Sequence, residues 1–276
     1  MKSRLAVPGA AYLKPLLFGL DRADSPFDLV VDFPSKNALK LNERSEEIRS
    51  AFLSPIDYAR HGGEYCILPN ICVASSIPTN TIQLILKSDL RNIETIAVDI
   101  RVTSEIILAK IILTEKFRNQ SGHSQLQFLP MMPDVDIMLA KADAALIIDS
   151  PPEHYQRPGT FTIDLVEEWN DMTELPYVHG FWVGREEELS EQEAAALVEA
   201  HAHGKQLRTQ IAQTVAQQTN RPLEEISTYI DAFTYTLDQR AEESIEEFIQ
   251  YAYYHGVIGD VPELQYFDLQ PPSGVN

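Results

Sequence analysis

The chain has 276 residues, enough for a sizeable core or two lobes and far too long for a disulfide-stapled miniprotein. Its 22 Lys and Arg stand against 41 Asp and Glu, a net charge of -19, and that field repels nucleic-acid backbone and anionic membrane surfaces, so neither is expected as a partner. Charged residues make up 23% and hydrophobic residues 44%, ordinary globular usage, so the imbalance lies in sign and disorder is not implied.

The chain opens with Lys2 and Arg4 followed by an apolar run to Leu20, but Pro8, Lys14 and Pro15 break the apolar core a signal peptide needs, and the start reads as mature and cytoplasmic. No apolar stretch approaches the roughly 20 residues of a membrane span. Short β-rich runs follow at residues 27–33, from Ala51, and at 65–74, 81–86, 95–100 and 144–148. Between the last two, Ile107, Leu108, Ile111 and Ile112 have helical spacing over 104–117, which makes a βαβ unit. Cys66 and Cys72 lack the clustered spacing of a zinc site and read as buried thiols; no metal or other cofactor is expected.

The C-terminal part is helical. Ser190 and Glu193 have capping-box spacing at the head of a long Ala- and Glu-rich helix expected to stop or kink near Gly204. Asn220 and Pro222 suit the cap and start of the next helix, and Ala241, Ile245, Phe248, Ile249 and Ala252 form an apolar stripe ending at Gly256. The Pro-rich tail from residue 271 is expected to be loose. A β-rich start, a βαβ block and a helical return suit an α/β protein of two lobes, 1–86 plus 186–276 and 87–185, whose chain crosses a hinge and comes back. Ligands in open α/β sheets sit beyond the C-terminal strand ends, often between lobes.

Strand-end residues are therefore the candidates for chemistry. At 99–104 a strand passes into a helix, and its free N–H groups, the Thr103 and Ser104 hydroxyls and Arg101 suit a carboxylate or phosphate, although Thr103 or Ser104 equally suits a simple helix cap. The turn at 75–81 offers Thr79, Asn80 and Thr81 as donors, which ordinary turn chemistry explains as well. At 54–60, Ser54 suits a position facing the cleft, while Asp57 reads as a solvated helix-start carboxylate. Lys14, Asp149 and His179 are single ionisable candidates for acid or base work if desolvated, each with a structural alternative. His201 and His203, two apart on a helix, face different sides and do not make a metal pair.

Taken together, FLSPIDYAR at 52–60, YCILPNICVASSIPTNTI at 65–82, residues 98–113 and 144–150, DLVEEWNDMTELPYVHGFW at 164–182 and the HGVIGDVPELQYF end of 244–267 cover most of the chain. In them it resembles the chorismate dehydratase family of the futalosine route to menaquinone. The resemblance implies a type 2 periplasmic-binding-protein-like α/β fold with an interlobe cleft that closes over chorismate. It implies a cytoplasmic carbon–oxygen lyase that removes water to give 3-[(1-carboxyvinyl)oxy]benzoate, with Ser54, Thr79, Asn80, Thr81, Thr103 and Ser104 as substrate contacts. Arg101 and His179 join them as candidate binding residues. Lys14 stands where the family carries an Asn near the reacting ring, and Asp149 with Ser150 stands where it carries Gly-Asp, which makes Lys14 and Asp149 the candidate catalytic pair. Two other readings are kept, the sister enzyme acting on cyclic dehypoxanthine futalosine and a non-catalytic binder or sensor of a small carboxylate. A monomer or homodimer is expected.

Overall fold

Ten strands alternate with helices in the computed structural model, which describes residues 2–61, 64–87, 90, 93–117, 126–150 and 152–269. In chain order the strands are β1 (Ser3–Val7), β2 (Phe27–Val31), β3 (Ile48–Leu53), β4 (Cys66–Ser75), β5 (Ile82–Leu86), β6 (Thr95–Asp99), β7 (Gln127–Met131), β8 (Ala144–Ile148), β9 (Phe161–Asp164) and β10 (Tyr177–Gly184). They form two five-stranded sheets, ordered β2-β1-β3-β10-β4 and β7-β6-β8-β5-β9. Both sheets are mixed: β1 runs parallel to β2 and β3, whereas β10 is antiparallel to β3 and β4. In the second sheet β6 is parallel to β7 and β8, and β5 is antiparallel to β8 and β9. The βαβ unit expected there is present, with helix α3 (Ser104–Glu115) leaving β6; the expected tail at 271 lies outside the described residues.

Sheet membership corrects the expected boundaries at both crossings. Residues 81–86, placed with the first lobe, supply β5 of the second sheet, because Ile82, Leu84, Ile85 and Leu86 are all buried and pair with the equally apolar β8. Residues 177–184, placed with the second lobe, supply β10 of the first sheet. Both faces of β10 are covered, so it lacks the polar alternation that would have marked it as a strand. Between the two sheets the chain passes at 76–81 and again at 165–176.

The remaining helices are α1 (Pro34–Asn42), α2 (Pro55–Arg60), α4 (Val135–Lys141), α5 (Pro152–Tyr155), α6 (Leu165–Thr173), α7 (Glu191–Gln206), α8 (Arg208–Thr219), α9 (Leu223–Asp231) and α10 (Gln239–Tyr254). The capping box at the head of α7 forms as the spacing predicts: Glu193 donates its N–H to Ser190 Oγ at 3.3 Å, and its carboxylate accepts the Ser190 N–H at 2.8 Å. As expected, α7 stops near Gly204, at Gln206, and α8 starts at Arg208; Gly204 itself is still within the helix. It lies where the helix presses on a short 3-10 helix, Ala11–Leu17, and an added Cβ would stand 1.8 Å from the Pro15 carbonyl oxygen. Asn220 closes α8 in the left-handed region instead of capping α9, since a single residue at φ 53 satisfies the last carbonyls of the helix before it.

The expected stripe on α10 is buried, and it serves both sheets. Ala241, Ile245 and Ile249 enter the core of the first, while Phe248 and Ala252 enter that of the second. Burying a large apolar side chain contributes about 1.5–3 kcal/mol each, so this helix holds the lobes together. Trp169 of α6 packs against Tyr177, Phe248 and Tyr251 and donates its indole N–H to Ser244 Oγ of α10 at 3.1 Å, and Ser244 donates in turn to the Pro176 carbonyl. The Trp-containing segment is thus a structural joint at the second crossing. Among the described residues no helix is long and apolar enough to cross a membrane.

Candidate active site

The site begins where β6 ends. Asp99, at 0% exposure, holds Arg101 by accepting its backbone N–H at 3.0 Å and its Nε–H at 2.8 and 2.9 Å, with a further bond from Nη2. The guanidinium expected to meet a ligand anion is therefore already paired, because the tight turn brings it back onto the buried carboxylate two residues earlier. The chain then enters α3 with no side-chain cap. Thr103 Oγ1 and Ser104 Oγ, both inaccessible and Ser104 only 5% exposed, make no hydrogen bond of normal geometry beside Asp57 and Tyr177. The first N–H groups of a helix have no intrahelical partner, so amides and hydroxyls point together into one place.

Glu105, the second residue of α3, is the acidic residue of its first turn. Burial pushes its carboxyl up to about 7; the N–H groups of Glu105 and Thr103 pull it down, while Asp149 and Asp57 push it further up. Asp57 is 3% exposed, not solvated as expected, because α2 turns it inward beneath Ser54. Burial raises its carboxyl, and the Ser54 hydroxyl, donating at 2.8 Å, together with Arg60 at 3.7 Å, lowers it. Ser54 also accepts the Asp57 N–H at 3.3 Å, so its hydroxyl serves as the α2 cap.

Asp149 follows β8 with φ 44, a left-handed backbone that non-glycine residues rarely adopt, and donates its N–H to the Thr81 carbonyl at 2.8 Å. Its side chain reaches water but has enough protein around it to be partly desolvated. Burial lifts it to about 6, opposed by the Tyr229 hydroxyl donating at 3.3 Å and by Arg101, and assisted by Asp99. His179 of β10 lies among three rings, Tyr177 at 4.9 Å and Tyr12 and Phe233 each at 5.2 Å between centroids. Burial lowers its imidazole to about 3, so it stays neutral, and its inaccessible Nε2 has no partner. Tyr12, Tyr177 and Tyr229 are raised well above the ordinary phenol value, chiefly by burial. Asp149 and Glu105 raise Tyr12 further, and Glu105 and Asp57 raise Tyr177, so these groups lie within electrostatic reach of one another.

Other expected residues stand apart from this group. Lys14 is exposed and lines a surface groove with Leu17, Asp21, Arg22, Gln210 and Thr214. Two residues along the 3-10 helix from the buried Tyr12 it projects about 120° away, on the exposed face of that helix. The Thr79 and Thr81 hydroxyls bond each other at 2.5 Å, and the Asn80 N–H goes to Asp164 Oδ2 at 2.6 Å; this turn braces Asp149 and α6, and its own hydrogen bonds account for its hydroxyls. Sequence reading missed Glu105 and the rings of Tyr12, Tyr177, Tyr229 and Phe233. The one available signal was Glu105 itself, a lone carboxylate in the first turn of a helix otherwise apolar to Leu113 except for Lys110. Among the described residues no group of His, Cys, Asp and Glu has the arrangement of a metal site.

Solved structures share this architecture. A protein of Archaeoglobus fulgidus superposes with a TM-score of 0.71 at 19% identity, over 93% of this chain and 98% of that one. The periplasmic aliphatic sulphonate binding protein SsuA from Escherichia coli gives 0.60 at 12% identity over 100% and 98%. A Candida albicans protein described as having the generic periplasmic binding protein fold gives 0.63 at 11% identity over 99% of both chains. The fold is thus the two-lobed periplasmic-binding-protein fold. The family model described as menaquinone biosynthesis matches residues 7–254, nearly the whole sequence, and the chain belongs to that menaquinone biosynthesis family.

Proposed function

We propose that this chain is a chorismate dehydratase, a cytoplasmic lyase that needs no cofactor and gives 3-[(1-carboxyvinyl)oxy]benzoate. One observation carries the reading: the uncapped start of α3, with the unpartnered Thr103 and Ser104 hydroxyls, opens beside a carboxylate poised near neutrality and a wall of buried rings. The rings of Tyr12, Tyr177, His179 and Phe233 offer flat apolar surface to the six-membered ring of the substrate, and the helix start suits one of its carboxylates. Asp149, with a pKa of about 6, is mostly ionised at neutral pH and takes the proton from the ring carbon that bears the ether. The hydroxyl on the next carbon departs with that proton returned to it, so a C–H and a C–O bond break, a ring double bond forms and water leaves. Aromatisation supplies the driving force. Lys14 has no role in this scheme, and the turn at 79–81 acts by holding Asp149.

A second reading is favoured by one feature. The cleft presents Asp57, Glu105 and Asp149 while its arginine is spent on Asp99, which suits a less anionic ligand than chorismate and hence the sister enzyme or a non-catalytic binder. Mixing the purified protein with chorismate, while following ultraviolet absorbance and product mass, separates the readings. Turnover that falls about 10²- to 10⁴-fold in Asp149→Asn supports the dehydratase. Binding without turnover supports the alternative.

A further inference from the structure

We propose that Tyr229 is a positioning residue for the base: its phenol, carried by a helix packed on the first lobe, holds the Asp149 carboxylate of the second lobe in place for proton transfer. This goes further into the dehydratase reading above and rests on it for the reaction.

Asp149 leaves β8 with φ 44 and donates its N–H to the Thr81 carbonyl at 2.8 Å, so its backbone is pinned and only the side-chain torsions stay free. One of its oxygens, Oδ1, accepts the Tyr229 hydroxyl at 3.3 Å, and among the described residues no other group hydrogen-bonds that carboxylate. Oδ2 is therefore the oxygen left to take the proton. Tyr229 can act as a fixed donor because its ring is itself held. It packs on Phe233 at 5.3 Å with 65° between planes, and Phe233 packs on Tyr12 at 5.1 Å and His179 at 5.2 Å. Buried Ile226 and Ile230 anchor α9 around it, and Tyr229 adds to the core of the first sheet. This one side chain thus ties the wall of rings to the carboxylate across the two lobes. Burial and the nearby Asp149 keep the phenol protonated well above its ordinary value, so it donates throughout the working range and does not compete for the substrate proton. Accepting its hydrogen bond favours the ionised carboxylate, as Arg101 does, against burial and Asp99, while Glu105 and Tyr12 also lie within electrostatic reach. A base must be both ionised and aimed, and a misplacement of about 1 Å can cost on the order of 10²-fold.

The test compares the wild type with Tyr229→Phe, which keeps the ring on Phe233 and loses only the hydroxyl. In carbon NMR of protein labelled at the aspartate carboxyl carbons, the resonance that Asp149→Asn removes reports Asp149, and it should titrate at higher pH in Tyr229→Phe than in the wild type. In turnover of chorismate the variant should lose kcat with KM kept within about twofold. Its loss should be about threefold or more larger at pH 5.5 than at pH 8.5, because a smaller share of the carboxylate is ionised at the lower pH. Adding Tyr229→Phe to Asp149→Asn should cost no further activity, since a residue acting through Asp149 then has nothing to hold. An unmoved Asp149 resonance, an equal loss of kcat at both pH values, or a full further loss in the double variant overturns the proposal. The two readings fail separately. If chorismate is not turned over but the resonance moves, the dehydratase assignment falls and the hold of Tyr229 on Asp149 survives. Turnover of chorismate with the resonance unmoved has the opposite meaning.

Discussion

Replacing Glu105 by Gln should change how the protein's stability depends on pH, with no ligand involved. The wild-type carboxyl rises from its ordinary 4.5 to about 7 on folding, mainly through burial. At about 1.36 kcal/mol per pH unit this corresponds to roughly 3 kcal/mol, and because the side chain keeps some contact with water a discounted range of about 1.5–3 kcal/mol is the working figure. The sign follows from where the proton goes. Below pH 4.5 both folded and unfolded chains hold it and there is no penalty; as pH rises towards 7 the unfolded chain has released a proton that the folded chain still holds, and stability is lost; above 7 the penalty is constant. The Gln variant keeps the volume and cannot ionise. Urea unfolding of both proteins at pH 4, 5.5, 7 and 8.5 should therefore show the variant gaining about 1.5–3 kcal/mol on the wild type between the first and last of these. A slope remains in the variant, because Asp149, lifted to about 6, and Asp57 shift in the same direction. Parallel wild-type and variant profiles would refute the placement of Glu105 in an enclosed, acidic setting.

Gly204→Ala should destabilise the fold by about 2 kcal/mol or more, read as a lower melting temperature, because its Cβ would stand 1.8 Å from the rigid Pro15 carbonyl oxygen and force α7 off the 3-10 helix; an unchanged melt contradicts that packing. Joint replacement of Thr103 and Ser104 by Ala should weaken binding of the product, measured by calorimetry, by about 1–3 kcal/mol while leaving the circular dichroism spectrum intact. Unchanged affinity would make them purely structural. Lys14→Asn should leave chorismate turnover within about twofold, as expected of an exposed surface change, since its side chain lies on the outer groove; a larger change in kcat would return it to the cleft.

Periodicity and capping chemistry made much of the scaffold legible. The stripe from Ala241 to Ala252, the capping box of Ser190 and Glu193, and the strand 144–148 are local patterns, and local patterns survive folding. What could not be read is set by partners distant in sequence. Nothing near 177–184 says that Phe52 and Cys72 will lie on either side of Trp182 and Phe181, so β10 and with it the lobe boundaries were misplaced. The same limit governed the site. Arg101 looked available until the turn returned it to Asp99, and Asp57 looked solvated until α2 faced α3. In the segment Tyr12, Leu13, Lys14 the charge drew attention, yet the phenol ring is buried against His179 and Phe233 while the ammonium lies on the outer groove.

The division of the site between the sheets carries a mechanical consequence. Glu105 and Asp149 stand at the ends of β6 and β8 in the second sheet, whereas Tyr12 and the β10 residues Tyr177 and His179 belong to the first, with Phe233 packed on them. Glu105 and Asp149 are therefore supplied by one lobe, and the rings together with Asp57 by the other. Their separation is governed at the crossings, where Trp169, Ser244 and the Pro176 carbonyl form a hydrogen-bonded chain between α6, α10 and the start of β10. Tyr177 is the next residue after Pro176, so any rotation of the second sheet about this joint changes the separation between the Tyr177 ring and the residues at the ends of β6 and β8.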